Sequence, residues 1–237
     1  VVIKKVSGYF ISSVQPYKGP GITRQAIYFF MISLLHLLSG KIGMLIMPWY
    51  TTEKEIGIFN ISYRLADLVI YPTFLLHAVL PQLFARYHTA RVEQKQALYS
   101  ESTMLTLITA LPLLLVNIIA GKWLLGYFGT EFTNGYLALV CISLSNFLWA
   151  LFGPANTLLM MQGKESYAAF SYIIYIVVLS IGNVLFIPVW GITGAALAIL
   201  TGHFIYNAIA SWFVWRHTGV VAPLFRIFRK SASENNQ

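Results

Sequence analysis

The sequence predicts an all-α protein, a polytopic membrane helix bundle of about six transmembrane helices, and three observations support this prediction. Hydrophobic residues make up 57% of the 237 positions. Charged residues make up 10%, whereas an ordinary soluble domain has about 25%. The apolar residues are gathered in six long segments. A soluble domain of this size would have too little polar surface to enclose them, which argues against a soluble enzyme or a nucleic-acid-binding protein.

Each of the six segments is long enough to cross a bilayer, whose core of about 30 Å requires roughly 20 apolar residues in a helix. None shows the alternating pattern of a membrane β-barrel strand. The second and fourth are longer than a straight crossing and contain Pro72 and Pro154, so we expect kinked or tilted helices there. The predicted spans are 25–49, 56–85, 100–121, 134–160, 166–188 and 192–214.

Basic residues indicate the orientation of the bundle. Twelve of the 16 lie at alternate ends of the spans, in an arm over 1–24, in the second and fourth connections, and in a tail over 216–237. Since positively charged loops stay in the cytoplasm, both termini are predicted to be cytoplasmic, with the bundle over 25–215 in the inner (cytoplasmic) membrane. The net charge of +8 then reflects topology, and we expect no nucleic-acid partner.

The connections between the spans are short and contain no recognisable catalytic motif. They have no Gly-rich phosphate loop, no Cys or His pair at metal-ligand spacing and no nucleophile elbow. A membrane-embedded glycosyl- or acyltransferase needs acid–base groups near an interface, and the outer connections offer only Glu53, Glu55 and Glu131. We therefore expect no enzyme activity, no cofactor and no metal site, and keep the transferase as an alternative.

Three charged residues fall at membrane depth, where a central charge costs about 2.5–3.5 kcal/mol. Lys41 and Arg64 are predicted on antiparallel neighbours at similar depth, roughly 12 Å below the outer surface. Asp67 follows Arg64 at i+3 and so shares its face. Three interpretations are open, namely a structural ion cluster, a cationic lining for an anionic substrate, and a cation-coupling site at Asp67. The net positive charge of the group favours the cationic lining.

Two histidines complete the set of candidate substrate-binding residues. His36 and His203 fall near the middle of the first and last spans and could line the same cavity as the three charged residues. The alternative, which single histidines inside a bundle favour, is that each is satisfied by a carbonyl group of a neighbouring helix.

Two stretches, 57–87 and 158–202, carry a family resemblance. Their most specific positions are Asn183, Pro188, Gly191, Gly194, Ala195 and Ala196, followed by Gly57, Tyr63, Arg64 and Pro81. With these positions the chain resembles the C-terminal half of the polysaccharide-transport branch of the multidrug/oligosaccharidyl-lipid/polysaccharide exporters, the O-antigen flippase type. The similarity covers nearly all of 25–215.

The resemblance implies one six-helix lobe of a two-lobe transporter that flips a lipid-linked oligosaccharide across the cytoplasmic membrane for surface polysaccharide biosynthesis. The implied partners are an undecaprenyl-pyrophosphate-linked glycan, membrane lipid and an N-terminal lobe of the same or a partner chain. Arg64 matches a position where relatives often carry a cavity arginine, and Lys41 stands near a position that more often holds Arg or Asp. Because the chain starts at Val1 and matches one lobe, we expect it to be part of a longer polypeptide. A cation-coupled multidrug exporter of the same superfamily is the alternative.

Overall fold

The computed structural model describes residues 22–87 and 90–223, and within these ranges every regular element is helical. Most of the predicted arm and of the predicted basic tail lie outside the described residues. The prediction of an all-α, multi-pass membrane protein is confirmed for the described part of the chain.

Eight α-helices and three 3₁₀ turns make up the described bundle. Helix α1 (Ile22–Ile46) continues into a 3₁₀ turn over Met47–Trp49, and α2 (Glu53–Ala66) into a 3₁₀ turn over Asp67–Val69. The remaining elements are α3 (Tyr71–His77), α4 (Leu80–Arg86), α5 (Val92–Gly126), the 3₁₀ turn Thr130–Gly135, α6 (Tyr136–Phe152), α7 (Ala155–Met161) and α8 (Glu165–Thr218).

Four of the described helical stretches are long and apolar enough to cross a membrane. They are Ala26–Trp49, Val92–Gly126, Thr130–Phe152 and Glu165–Thr218. A fifth candidate is the pair Glu53–Val69 and Tyr71–Arg86, whose halves are bent by 53°. The described chain thus has four to five candidate spans by length and composition.

Helix α8 reverses direction at Gly191, where φ is 54° and ψ is −132°. The rings of Tyr167 and Phe213 lie only 4.8 Å apart, although a continuous helix would separate these residues by about 70 Å. The two halves, α8a (165–190) and α8b (192–218), therefore pack against each other as an antiparallel hairpin. Glycine suits the reversal because residues that carry a β-carbon rarely adopt a positive φ.

Two further helices are broken inside the bundle, at the two places where proline was expected to disturb them. The bend between α2 and α3 precedes Pro72, and α6 ends before Gly153, whose φ of 75° and the following Pro154 stop the helix. The Tyr99 hydroxyl donates a hydrogen bond of 2.5 Å to the carbonyl oxygen of Phe152. This bond satisfies one carbonyl that the end of α6 leaves without a helical partner.

Helix α6 packs against α5, α2 and α8, while α1 packs mainly against α8. Asn117 of α5 donates to the Leu65 carbonyl at 3.2 Å and to the Ser143 hydroxyl at 2.9 Å, and Asn146 of α6 donates to the Ala66 carbonyl at 3.0 Å. These bonds hold the end of α2 against α5 and α6. Of the four long candidate spans, the one that contains α1 is covered least, with 11% of its most apolar stretch buried.

Candidate functional site

Two adjoining cavities lie between α1, the α2–α3 junction, α6 and α8. The first, the Asp67 cavity, has a volume of about 140 Å³, and the polar residues of its lining include His36, Ser39, Tyr63, Asp67, Asn146, Tyr175 and His203. The second, the Trp149 cavity, has a volume of about 290 Å³ and is lined by His36, His77, Trp149, Asn156, Tyr172 and Tyr206, among others. His36, Phe74 and Trp149 belong to both linings, so the two spaces share a wall.

The cavities lie where two helices are interrupted. Asp67, Ile70 and Phe74, which line the first cavity, come from the bend between α2 and α3. Pro154 and Asn156, which line the second, come from the break between α6 and α7. Interrupted helices in membrane proteins occur where the irregular backbone lines a cavity, and in transporters they form the binding site. The backbone therefore marks this region as the candidate site.

The Asp67 cavity holds one carboxylate and no basic side chain except histidine. The amide of Asn146 donates to Asp67 Oδ1 at 3.4 Å. Nδ1 of His203 is 2.6 Å from the Ser145 hydroxyl, and its ring stacks on Tyr175 with centroids 4.8 Å apart. Within the described ranges no Lys or Arg side chain is ion-paired with Asp67. The cavity thus presents negative charge beside aromatic surface, an arrangement that favours a cation.

Trp149 is the centre of an aromatic cluster between the two cavities. Its ring centroid is 6.2 Å from that of His36, 6.0 Å from that of Phe74, 5.8 Å from that of His77 and 6.0 Å from that of His203. The Tyr172 hydroxyl lies 3.4 Å from Nδ1 of His36. Within the part of the chain that the structure describes, no group of three His, Cys, Asp or Glu side chains is placed to hold a metal ion.

The structure brings three of the five predicted site residues together and leaves two apart. His36, Asp67 and His203 line the Asp67 cavity. Lys41 and Arg64 are exposed and belong to neither lining, and Arg64 Nε donates to Asn60 Oδ1 at 3.3 Å. In the described chain, no ion pair joins either cation to Asp67.

The rotation of the helices explains this separation. Tyr63 of α2 and Asp67 at the start of the following 3₁₀ turn are four residues apart and both line the cavity, whereas Arg64 is turned by about 100° from Tyr63. Lys41 follows the cavity-lining Gly40 in the same way, and a β-carbon on Gly40 would lie 4.0 Å from the Tyr63 hydroxyl. The two cations therefore lie at a similar level of the bundle and outside the linings of both cavities.

The chain matches no family model. No curated protein and no solved structure is significantly similar to it either.

Sequence reasoning missed the aromatic residues and Asn156. A signal for Trp149 was present, because tryptophan in membrane helices concentrates at the interfaces, and Trp149 falls well inside the predicted span 134–160. Tyr172, Tyr175 and Tyr206 offered no comparable signal, since their pairing depends on the reversal of α8 at Gly191.

Proposed function

We propose that this chain forms one six-helix lobe of a transporter that flips a lipid-linked oligosaccharide across the cytoplasmic membrane by alternating access. Six crossings result when the bent pair Glu53–Val69 and Tyr71–Arg86 counts as one and α8a and α8b as two. A second lobe, in the same or a partner chain, would complete a central cavity onto which α1 and α2 face.

The observation that supports this proposal most is the exposure of Lys41 and Arg64 at membrane depth. Lys41 lies eight residues before Trp49, about 12 Å from the end of its span, and Arg64 lies eleven residues after Glu53, about 16 Å from the start of α2. Neither is ion-paired among the described residues. A charge facing lipid at depth costs about 2.5–3.5 kcal/mol, so an aqueous space that admits an anion accounts for both.

A diphosphate is the anion that this pair suits best. The guanidinium of Arg64 can hold a phosphate group through two parallel hydrogen bonds, and the ammonium of Lys41 adds a mobile point charge. The sugars would then travel in the polar cavity while the prenyl chain stays in lipid. The sequence has no nucleotide-binding loop, so the energy would come from an ion gradient or from consumption of the product outside.

The test is translocation of a fluorescent lipid-linked oligosaccharide by the full-length protein in reconstituted vesicles. Replacing both cations, Lys41→Gln with Arg64→Gln, should slow translocation by roughly 100-fold or more, since each lost charge-assisted hydrogen bond is worth about 1.5–3 kcal/mol. The matched control is Lys54→Gln, which removes an exposed cation in the first turn of α2 that is paired with Glu131 at 2.5 Å. Wild-type translocation by the double variant would exclude the proposal.

A cation-coupled multidrug exporter is the second candidate, favoured by the isolation of Asp67. Its carboxylate faces a cavity with aromatic walls and has no Lys or Arg partner in the described chain. If this function holds, vesicles should export a lipophilic cation such as ethidium, Asp67→Asn should abolish export, and Lys41→Gln should leave it intact. The opposite pattern, with no dye export by the wild-type protein, would favour the flippase.

A further inference from the structure

The Trp149 cavity differs from its neighbour in having no Lys, Arg, Asp or Glu in its lining. A charged ligand buried there would find no counter-charge, and burying an unpaired charge is strongly unfavourable. Inorganic phosphate would meet no cation, and an organic cation would meet His36 and His77 instead of a carboxylate. The lining therefore suits an uncharged ligand.

The same lining combines aromatic surface with a few hydrogen-bonding groups. Phe74, Trp149, Tyr172 and Tyr206 supply the aromatic surface. Asn156 supplies an amide whose Oδ1 atom is buried and has no hydrogen-bond partner within the described chain, while the amide also interacts with the Tyr206 hydroxyl. A buried acceptor without a partner is unfavourable, so a ligand that donates a hydroxyl hydrogen to Asn156 would gain affinity over one that does not.

We propose that the Trp149 cavity binds one neutral sugar ring of the transported glycan, an inference that rests on the function proposed above. A sugar ring offers apolar C–H faces to aromatic side chains and hydroxyl groups at its rim to polar ones, which is the combination found here. The volume of about 290 Å³ lies just below the usual range for ligand pockets, about 300–1,000 Å³, and suits one ring and not a chain of several.

The experiment measures protection of a cysteine placed in the cavity wall. The full-length protein, with Cys141 and any further native cysteine changed to serine and with Ser33→Cys, is put into lipid nanodiscs free of alkyl-glycoside detergent, whose headgroups are themselves sugars. Labelling by N-ethylmaleimide is timed with methyl glycosides of glucose, galactose, mannose or N-acetylglucosamine. A glycoside that occupies the cavity should slow labelling about tenfold at ten times its dissociation constant. Thr51→Cys, at the outer end of the first span, is the matched control and should label at an unchanged rate.

Two variants locate the binding. Asn156→Leu removes the unpaired acceptor with little change in size. It should raise the glycoside concentration that gives half-maximal protection about fivefold to tenfold. Trp149→Phe keeps an aromatic ring and should raise this concentration less. The inference is overturned if no glycoside protects Ser33→Cys, if tetraethylammonium protects as well as the best glycoside, or if protection is unchanged in both variants.

This outcome can be separated from that of the proposed function. The labelling reaction involves neither Lys41 nor Arg64, so normal flipping by the double variant would exclude the diphosphate site while leaving sugar protection unaffected. Absence of protection, with flipping that still depends on the two cations, would overturn only the sugar site.

Discussion

Replacing Gly191 by alanine should destabilise the hairpin formed by α8a and α8b. The φ of 54° and ψ of −132° at this position lie in a region that a residue with a β-carbon rarely adopts, and such strain costs about 1–3 kcal/mol. Space is not the reason, because the nearest atom to an added β-carbon would be a Glu55 carboxylate oxygen at 4.0 Å. The expected loss is therefore backbone strain alone, equivalent to about a 5- to 150-fold change in the unfolding equilibrium.

The measurement is reversible unfolding of the full-length protein in mixed micelles with a denaturing detergent. Gly57→Ala is the matched control, since Gly57 lies inside α2 and an added β-carbon there would meet no atom within 4 Å. Alanine is favoured over glycine in a helix by about 1 kcal/mol, so this variant should be as stable as the wild type or more stable. Equal stability of the Gly191→Ala protein and the wild type would refute the reversal at Gly191. Helix α8 would then be one continuous helix of about 80 Å, far longer than a bilayer is thick.

Three further predictions concern the contacts that hold the broken helices. Tyr99→Phe removes the bond to the Phe152 carbonyl and should lower the free energy of unfolding by about 1–3 kcal/mol in the same assay, because a buried acceptor loses its partner; no loss would contradict that role. Asn146→Leu removes the bond to the Ala66 carbonyl, and its cost should be about 0.6–1.7 kcal/mol, the average and the maximum measured for hydrogen bonds between membrane helices. Lys54→Gln should change stability by at most about 1 kcal/mol, with the difference vanishing in high salt, because its ion pair is exposed.

The sequence was most informative about the helices and where they break. Long apolar segments predict spans because a helix needs about 20 apolar residues to cross a bilayer. The helix breaks expected at Pro72 and Pro154 are also present. One predicted span ends at 188 and the next starts at 192. Gly191, where α8 reverses, lies between these two limits.

The sequence was less informative about which side chains meet. Spacing placed Arg64 and Asp67 on one face of α2, but a helical face is broad, and a small rotation about the axis decides which of two residues enters a cavity. Asp67 enters it and Arg64 does not. The cluster around Trp149 joins α1, α3, α6 and α8, so it depends on tertiary packing that no local pattern of residues encodes.

The position of Trp149 has a spectroscopic consequence. The chain has six tryptophans, and the five others are exposed on the outside of the described bundle, namely Trp49, Trp123, Trp190, Trp212 and Trp215. With those five changed to phenylalanine, all fluorescence excited at the red edge of the indole band would come from the wall between the two cavities. Its emission maximum would then register directly whether water, lipid or cargo fills the space beside the indole ring.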